Sequence, residues 1–458
     1  MLQALPYHPD STALFAAIAE RPWSMFLDSG RPESEHGRYD IIVADPVVTI
    51  TTKDGVTQIS TSEDRVESTD NPLDLIRSTL GEINESYPLP FSGGALGYAA
   101  YGLANHLPCN PKVSCNDAGM PEMCFGIYDW AFVADHREQK SWLVKSSKCD
   151  LDSKRWEELI ELFSNPQSGH TTGSFRVTGS IQPNITLQDY AEAFKQIKQY
   201  IYDGDCYQVN FAQRFSVGCQ GDPWMAYKNL RRINPSPFSA YINTPYGQVL
   251  SSSPERFLQV TDGHVETKPI KGTRPRSNNI EEDKTLLDEL KSSKKDRAEN
   301  LMIVDLLRND LGKSCSPGSI DVPELFKVES FPKVHHLVST ITGELSAEND
   351  AISLLSGCFP GGSITGAPKY RAMEIIEELE PDPRGIYCGS IGYIGYDGNM
   401  DTNIAIRTMI HRDGQIHFSA GGGIVYDSDM ESEYQETLDK VSAMFEMLEG
   451  GLSSQEQT

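Results

Sequence analysis

Residues 186–215 read TLQDYAEAFKQIKQYIYDGDCYQVNFAQRF. Leu187, Tyr190, Phe194, Ile197 and Ile201 recur at intervals of three and four, which gathers apolar side chains on one helix face. Thr186 offers an N-cap and Gly204 a stop, so a helix is predicted over 186–203. A strand is predicted immediately after it, over 207–215. Further strands are expected over 238–242, 248–251 and 257–260, then a long helical region over 280–311 and a helix over 351–358. Strands over 393–396, 404–410 and 416–420 and a closing helix over 430–448 complete this half. Strands and helices come in clusters without regular βαβ alternation, so the expected class is α+β rather than a doubly wound sheet.

Upstream, residues 1–145 alternate short apolar runs with turn residues. The run 41–43 precedes Asp45-Pro46, and 47–50 precedes Lys53-Asp54-Gly55, while 131–133 forms another; these read as strands with hairpin-like connections. Residues 146–183 are polar, with room for a short helix over 156–163. A boundary is therefore expected near 165–183, between an N-terminal region, 1–165, and a C-terminal region, 183–450. The length of 458 residues suits two or three such units.

The composition, 38% apolar and 23% charged, is that of a folded globular chain. A formal net charge of -25 argues against nucleic acid and anionic membranes as partners, although local Arg and Lys can still bind a small anion. The N-terminus lacks a basic start followed by a long apolar stretch, and no run approaches the roughly 18–20 apolar residues that span a bilayer. A cytoplasmic location is expected. Nine cysteines, without a CxxC pair, indicate neither a disulfide framework nor a zinc site.

Three patterns invite misreading. Gly361-Gly362-Ser363-Ile364-Thr365-Gly366-Ala367-Pro368-Lys369 lacks the Lys-Ser/Thr that must directly follow the second glycine of a phosphate loop. Gly421-Gly422-Gly423 does not have dinucleotide spacing. Cys219, with His264 and Glu266 downstream, is faintly like a glutaminase nucleophile with its partners. The leading glycine is missing, however, and Cys219 is read as an ordinary surface thiol in a polar turn.

The remaining clusters carry chemistry: Ser253-Pro254-Glu255-Arg256-Phe257, Lys268-Pro269-Ile270-Lys271-Gly272-Thr273, Asp296-Arg297-Ala298-Glu299-Asn300, His335-His336-Leu337, Phe359-Pro360 running into the glycine-rich stretch above, and Glu433-Tyr434-Gln435-Glu436-Thr437. Singly, each has a bland reading. Glu255 and Arg256 suit a solvated pair, Lys271 a turn lysine, and Glu436 with Lys440 a helix-surface pair. In this order they resemble the chorismate-binding enzyme family, strongly over 183–450 and more loosely over 20–140. That family includes anthranilate, isochorismate, salicylate and aminodeoxychorismate synthases. The resemblance implies packed antiparallel sheets flanked by helices.

It also implies roles for residues. Chorismate is a dianion with a poor leaving group at C4, and Glu255 would be the general acid for its departure. Glu299 and Glu436 would hold Mg²⁺ with waters and substrate oxygens. Substrate contacts would come from Gly272, Thr273, His336, Thr365, Lys369, Tyr387, Arg407 and the backbone of Gly421, Gly422 and Gly423. Gln208 stands where water-using relatives carry an activating lysine, and so points to ammonia. Lys271 stands where anthranilate synthases usually have alanine, and would attack C2 as a neutral amine before ammonia adds at C4. The expected product is 4-amino-4-deoxychorismate, a folate precursor of the p-aminobenzoate branch; anthranilate, as made by an anthranilate synthase component I, is the alternative. Ammonia would come from a separate glutamine amidotransferase subunit. Ser29, His36, Gly37, Arg38, Tyr39, Pro237, Phe238 and Ser239 match a pocket that binds L-tryptophan in relatives.

Overall fold

A computed structural model describes residues 1–32, 37–81, 87–115, 119–165, 173–331 and 333–450. Helix Leu187–Asp203 forms as its sequence demands. The Thr186 side chain accepts from the Asp189 amide at 3.2 Å, and the Asp189 carboxylate accepts from the Thr186 amide at 2.8 Å. Gly204 ends the helix in the left-handed region at φ 84°. The buried face, Tyr190, Ala193, Phe194 and Ile197, packs against Val209 and Phe211 of the next strand, Gln208–Gly221.

Among the described residues two large sheets form. The first has 13 strands, and its central order places Met25–Asp28 beside Phe238–Thr244, then Gly247–Ser253, Thr408–Arg412, Gln415–Ile424 and Gln208–Gly221. The second has 12 and runs from Ile270–Pro275 through Val334–Glu344, His264–Thr267, Arg256–Thr261, Met400–Asn403 and Ser390–Gly395 to Gly94–Ala99 and Met123–Tyr128. The pairings are antiparallel, as expected for an α+β chain. Strands from both sides of the 165–183 stretch share each sheet, so the N- and C-terminal regions are joined by continuous hydrogen-bonded ladders. One core cluster lies between the sheets, around Met25, Tyr98, Tyr128, Ile242 and Ile391.

Three expectations need correction. The helical region 280–311 is two helices, Ile280–Ser292 and Lys294–Leu311, because Ser293 leaves the helical region (ψ 113°) to cap the second through the Asp296 amide. The strand expected over 404–410 starts only at Thr408. Before it, the Ile404 amide is held by the Glu255 carbonyl, and Arg407 takes a left-handed φ of 50°. Cys219 is no surface thiol: it lies on Gln208–Gly221, only 3% exposed, and burial pushes the thiol up to about 11. The bland reading of Glu255 and Arg256 as a solvated pair, set aside in the sequence, does not hold. Arg256 binds Asp401 and Glu266, while Glu255 faces a separate buried centre. Among the described residues no cysteine is paired, and no helix is long and apolar enough to cross a membrane.

Candidate active site

Strand Ile270–Pro275 is irregular where it carries Lys271. Ile270 opposes Val338 and Thr273 opposes His336, so the strand gains one residue on its partner between those points. Gly272 takes φ 84° there, and a Cβ on it would come 3.0 Å from Asp296 Cβ and from Leu290 Cδ1. A bulge of this kind re-aims the side chain beside it. The Lys271 side chain ends in the interior, where Nζ donates to the Ser363 carbonyl at 2.9 Å and lies 3.1 Å from Glu299 Oε1.

Glu299 reaches this point from helix Lys294–Leu311, which packs on the bulged strand. Gln208 Nε2 donates to the same carboxylate oxygen at 3.2 Å. Gln208 is fully buried, and its Oε1 has no hydrogen-bond partner among the described residues. Glu255 stands just before strand Arg256–Thr261 and is 5% exposed. Ser363 Oγ donates to Glu255 Oε1 at 2.7 Å. Burial raises the Glu255 carboxyl above its ordinary value, against the opposing pull of Ser363, Lys271 and Lys440. The Arg407 guanidinium makes no hydrogen bond or ion pair among the described residues. Burial lowers its pKa, and the field of Glu255 acts the other way. Arg407 is half-buried, so its guanidinium stays open to water or to a bound carboxylate.

The glycine run closes the other side. Its strand, Gln415–Ile424, pairs with Asn210, Phe211 and Ala212, while the neighbouring strand Thr408–Arg412 stops short of it. One edge beside Gly421, Gly422 and Gly423 is therefore open, and Lys440 Nζ donates to the Gly421 carbonyl at 3.0 Å. A Cβ on Gly423 would lie 2.2 Å from Gln208 Nε2 and 2.9 Å from Glu299 Oε1; one on Gly422 would lie 3.1 Å from Glu433 Oε2 and 3.9 Å from Glu436 Oε1. The glycines thus leave the space that the carboxylates occupy. Glu436 pairs with Lys440 at 2.7 Å, and that lysine, with Lys295 and Lys271, holds its carboxyl below the ordinary range. Lys295 feels the fields of Glu433, Glu436 and Glu299 together, so these carboxylates share one electrostatic neighbourhood.

The other expected residues divide. Thr273 Oγ1 and His336 Nδ1 lie 2.9 Å apart on neighbouring strands next to the bulge. The Thr365 hydroxyl turns into its own loop and donates to the Gly361 carbonyl at 3.0 Å. Tyr387 is buried, with the Arg384 guanidinium 5.9 Å from its ring centre. Lys369 is not brought to the cluster: its amine is bound by the Asp310 carboxylate and, at 2.8 Å, by the Cys358 carbonyl. Ser363, Arg384, Lys295 and Lys440 were not singled out from the sequence. Ser363 lay inside the quoted glycine-rich stretch, and Lys440 was noted only as a surface partner of Glu436.

A cavity of about 790 Å³ lies elsewhere, between the two sheets. Gly37, Arg38, Tyr39, Pro237, Phe238 and Ser239 all line it. Ser29 lies behind that wall, with its hydroxyl on Asp40 at 2.6 Å, and His36 lies outside the described residues. Arg256 also lines the cavity, so consecutive residues serve two places: Arg256 the cavity and Glu255 the buried centre.

Comparison with known proteins agrees with this geometry. The chorismate binding enzyme family matches residues 24–446. Aminodeoxychorismate synthase component 1 of Salmonella typhimurium is 47% identical over 452 residues, covering 97% of both chains. The protein of the same name from Bacillus subtilis is 38% identical, covering 97% of this chain and 96% of the other. Among solved structures, anthranilate synthase component I from Streptococcus pneumoniae superposes with a TM-score of 0.80 at 32% identity, covering 89% of this chain and 92% of that one. The chain belongs to the chorismate-binding enzyme family.

Proposed function

We propose that the chain converts chorismate and ammonia into 4-amino-4-deoxychorismate and water. The observation that carries this reading is the position of Lys271. Its amine is buried at a bulge, 3.1 Å from Glu299, and shares Ser363 with the acid candidate Glu255. The relatives named above as aminodeoxychorismate synthase component 1 support the same assignment.

In this mechanism neutral Lys271 Nζ forms a bond to C2 of chorismate. Both ring double bonds shift, the C4–O bond breaks, and the oxygen leaves as water with the proton from Glu255. Burial suits Glu255 to this work, because it keeps the carboxyl protonated at a higher pH than an exposed glutamate. Ammonia then forms the C4–N bond, the double bonds shift back, and Lys271 leaves C2 as the free amine. The proton lost from the new ammonium group returns to Glu255. Arg407 faces a substrate carboxylate, and Gln208 offers an amide where an activating lysine would favour water. Glu299 and Glu436 would hold Mg²⁺. Among the described residues no group of three His, Cys, Asp or Glu is placed to bind a metal. Two carboxylates with oxygen donors alone nevertheless suit a hard cation that keeps waters and takes substrate oxygens. When bound, the ion supplies charge neutralisation for the substrate dianion.

Ammonia would be delivered by a glutamine amidotransferase subunit. The cavity lined by Arg38, Tyr39 and Phe238 would take L-tryptophan, which should raise the melting temperature of the protein; no change in melting, with no indole compound carried by the purified protein, would remove that assignment.

The test of the reaction is a product assay with chorismate, Mg²⁺ and an ammonium salt, read by chromatography and mass. Aminodeoxychorismate without anthranilate is the expected result. Anthranilate as the product would show that Lys271 does not decide the outcome.

A further inference from the structure

Ser363 carries none of the reaction steps, yet it touches both residues that do. Its Oγ donates to Glu255 Oε1 at 2.7 Å, and its carbonyl accepts from Lys271 Nζ at 2.9 Å. It is 6% exposed and sits in a short helical turn, Gly362–Ile364. That turn is fixed on every side. The Thr365 hydroxyl donates to the Gly361 carbonyl at 3.0 Å, and Arg384 Nη1 donates to the Ile364 carbonyl at 2.9 Å. Gly362 lies so close to helix Lys294–Leu311 that a Cβ would come 2.7 Å from Leu306 Cδ2. A residue held this firmly transmits its position to whatever it binds.

We infer that Ser363 is a positioning residue that sets the acid Glu255 and the nucleophile Lys271 relative to one another. This rests on the roles given to those two residues above. The serine hydroxyl donates to Oε1, which favours the acid proton on Oε2. The same hydrogen bond remains when the proton has left, and there it stabilises the carboxylate. The serine carbonyl takes one hydrogen of the Lys271 amine, which fixes where its lone pair points. Both contacts come from one residue, so the acid and the nucleophile are aligned as a unit.

The test is steady-state kinetics of the full chain with chorismate, Mg²⁺ and an ammonium salt. Wild type, Ser363→Ala and Ser363→Thr would be compared, with melting curves to show that each is folded. Ser363→Ala should lower kcat about 10- to 100-fold, the loss expected for a buried hydrogen bond to a charged group. The KM for chorismate should stay within about twofold, because the inference gives the serine a positioning role and no contact with the substrate. Ser363→Thr, which keeps the hydroxyl, should recover most of the turnover.

The alkaline limb of the kcat profile should move to higher pH in Ser363→Ala, since the hydroxyl favours ionised Glu255. The other groups facing Glu255, namely Lys271, Lys440, Arg407 and Cys388, are unchanged by the substitution. Wild-type kcat in the alanine variant, a loss carried by KM alone, or a threonine variant as slow as the alanine one overturns the inference. A wild-type enzyme that forms no product with nitrogen at C4 overturns the underlying reading instead, and the two failures are told apart by the wild-type control.

Discussion

Arg384 binds the parts of the site together from outside it, and its replacement gives the sharpest test of that scaffold. Its guanidinium is 2% exposed and donates to Glu380 Oε2 at 2.8 Å, Glu380 Oε1 at 2.7 Å, the Ile364 carbonyl at 2.9 Å and the Asn210 carbonyl at 2.7 Å. It also lies 5.0 Å from the ring centre of Tyr101. Arg384→Met keeps an apolar stem of similar length but leaves a buried carboxylate and two buried carbonyls without this donor. Glu380 retains one bond, from the Ala212 amide at 2.9 Å. Removing one member of a buried pair costs about 3–5 kcal/mol. Against a typical total of about 5–15 kcal/mol, that should lower the urea midpoint visibly and reduce soluble yield. Adding Glu380→Gln removes the stranded charge, so the double variant should be about 2 kcal/mol more stable than Arg384→Met alone. The assay is urea unfolding followed by tryptophan fluorescence for wild type, both single variants and the double. A cost below about 1 kcal/mol for Arg384→Met, or no recovery on adding Glu380→Gln, would refute the view of Arg384 as the buried clamp.

Gly423→Ala places a methyl 2.2 Å from Gln208 Nε2, a buried amide with nowhere to swing; overpacking should cost about 1–3 kcal/mol and turnover should fall at least about tenfold, as read by melting and product formation. Removing divalent metal with a chelator should abolish turnover and added Mg²⁺ should restore it, and Glu436→Gln should raise the Mg²⁺ needed for half activity by at least about tenfold. His417 is held down to about 4 by burial, with Arg214 adding to the effect. Because its folded-state value lies below the unfolded value of about 6.5, its contribution is full above pH 6.5 and is lost as pH falls toward 4. His417→Gln should flatten the stability profile in this window, as followed by urea midpoints at successive pH values.

The fold was legible where one short-range rule governs a segment. Helix Leu187–Asp203 needs only its own apolar face, its capping box and Gly204, all within 19 residues of sequence, and it formed as read. The break at Ser293 was hidden because residues on both sides suit a helix, and only the cap on Asp296 shows where the second one starts. The delayed start of Thr408–Arg412 has a tertiary cause. Ile404 is held by the Glu255 carbonyl, and Ala405 exchanges hydrogen bonds with the loop at Cys388 and Gly389, so the chain cannot run straight there. Cys219 was misread because its neighbours are Gly218, Gln220 and Gly221, a local composition that suits a turn. Strand pairing with Phe175, Arg176 and Val177 overrides that preference.

The site was legible in its residue types and hidden in its connections. Glu255, Lys271, Glu299 and Gln208 stand far apart in sequence, and nothing in their spacing states that one oxygen of Glu299 meets both Lys271 and Gln208. The bulge that turns Lys271 inward depends on the register of two strands, which is a property of the pair rather than of either sequence. Lys369 shows the converse. It belongs to the same glycine-rich stretch as Ser363, yet its amine is taken by Asp310 and the Cys358 carbonyl, two partners that nothing in that stretch announces. Arg407 is the opposite case, a half-buried cation whose guanidinium makes no hydrogen bond or ion pair among the described residues. A guanidinium left open in this way can meet a carboxylate from outside the chain in the planar, bidentate manner that arginine favours, and a substrate with two carboxylates supplies one.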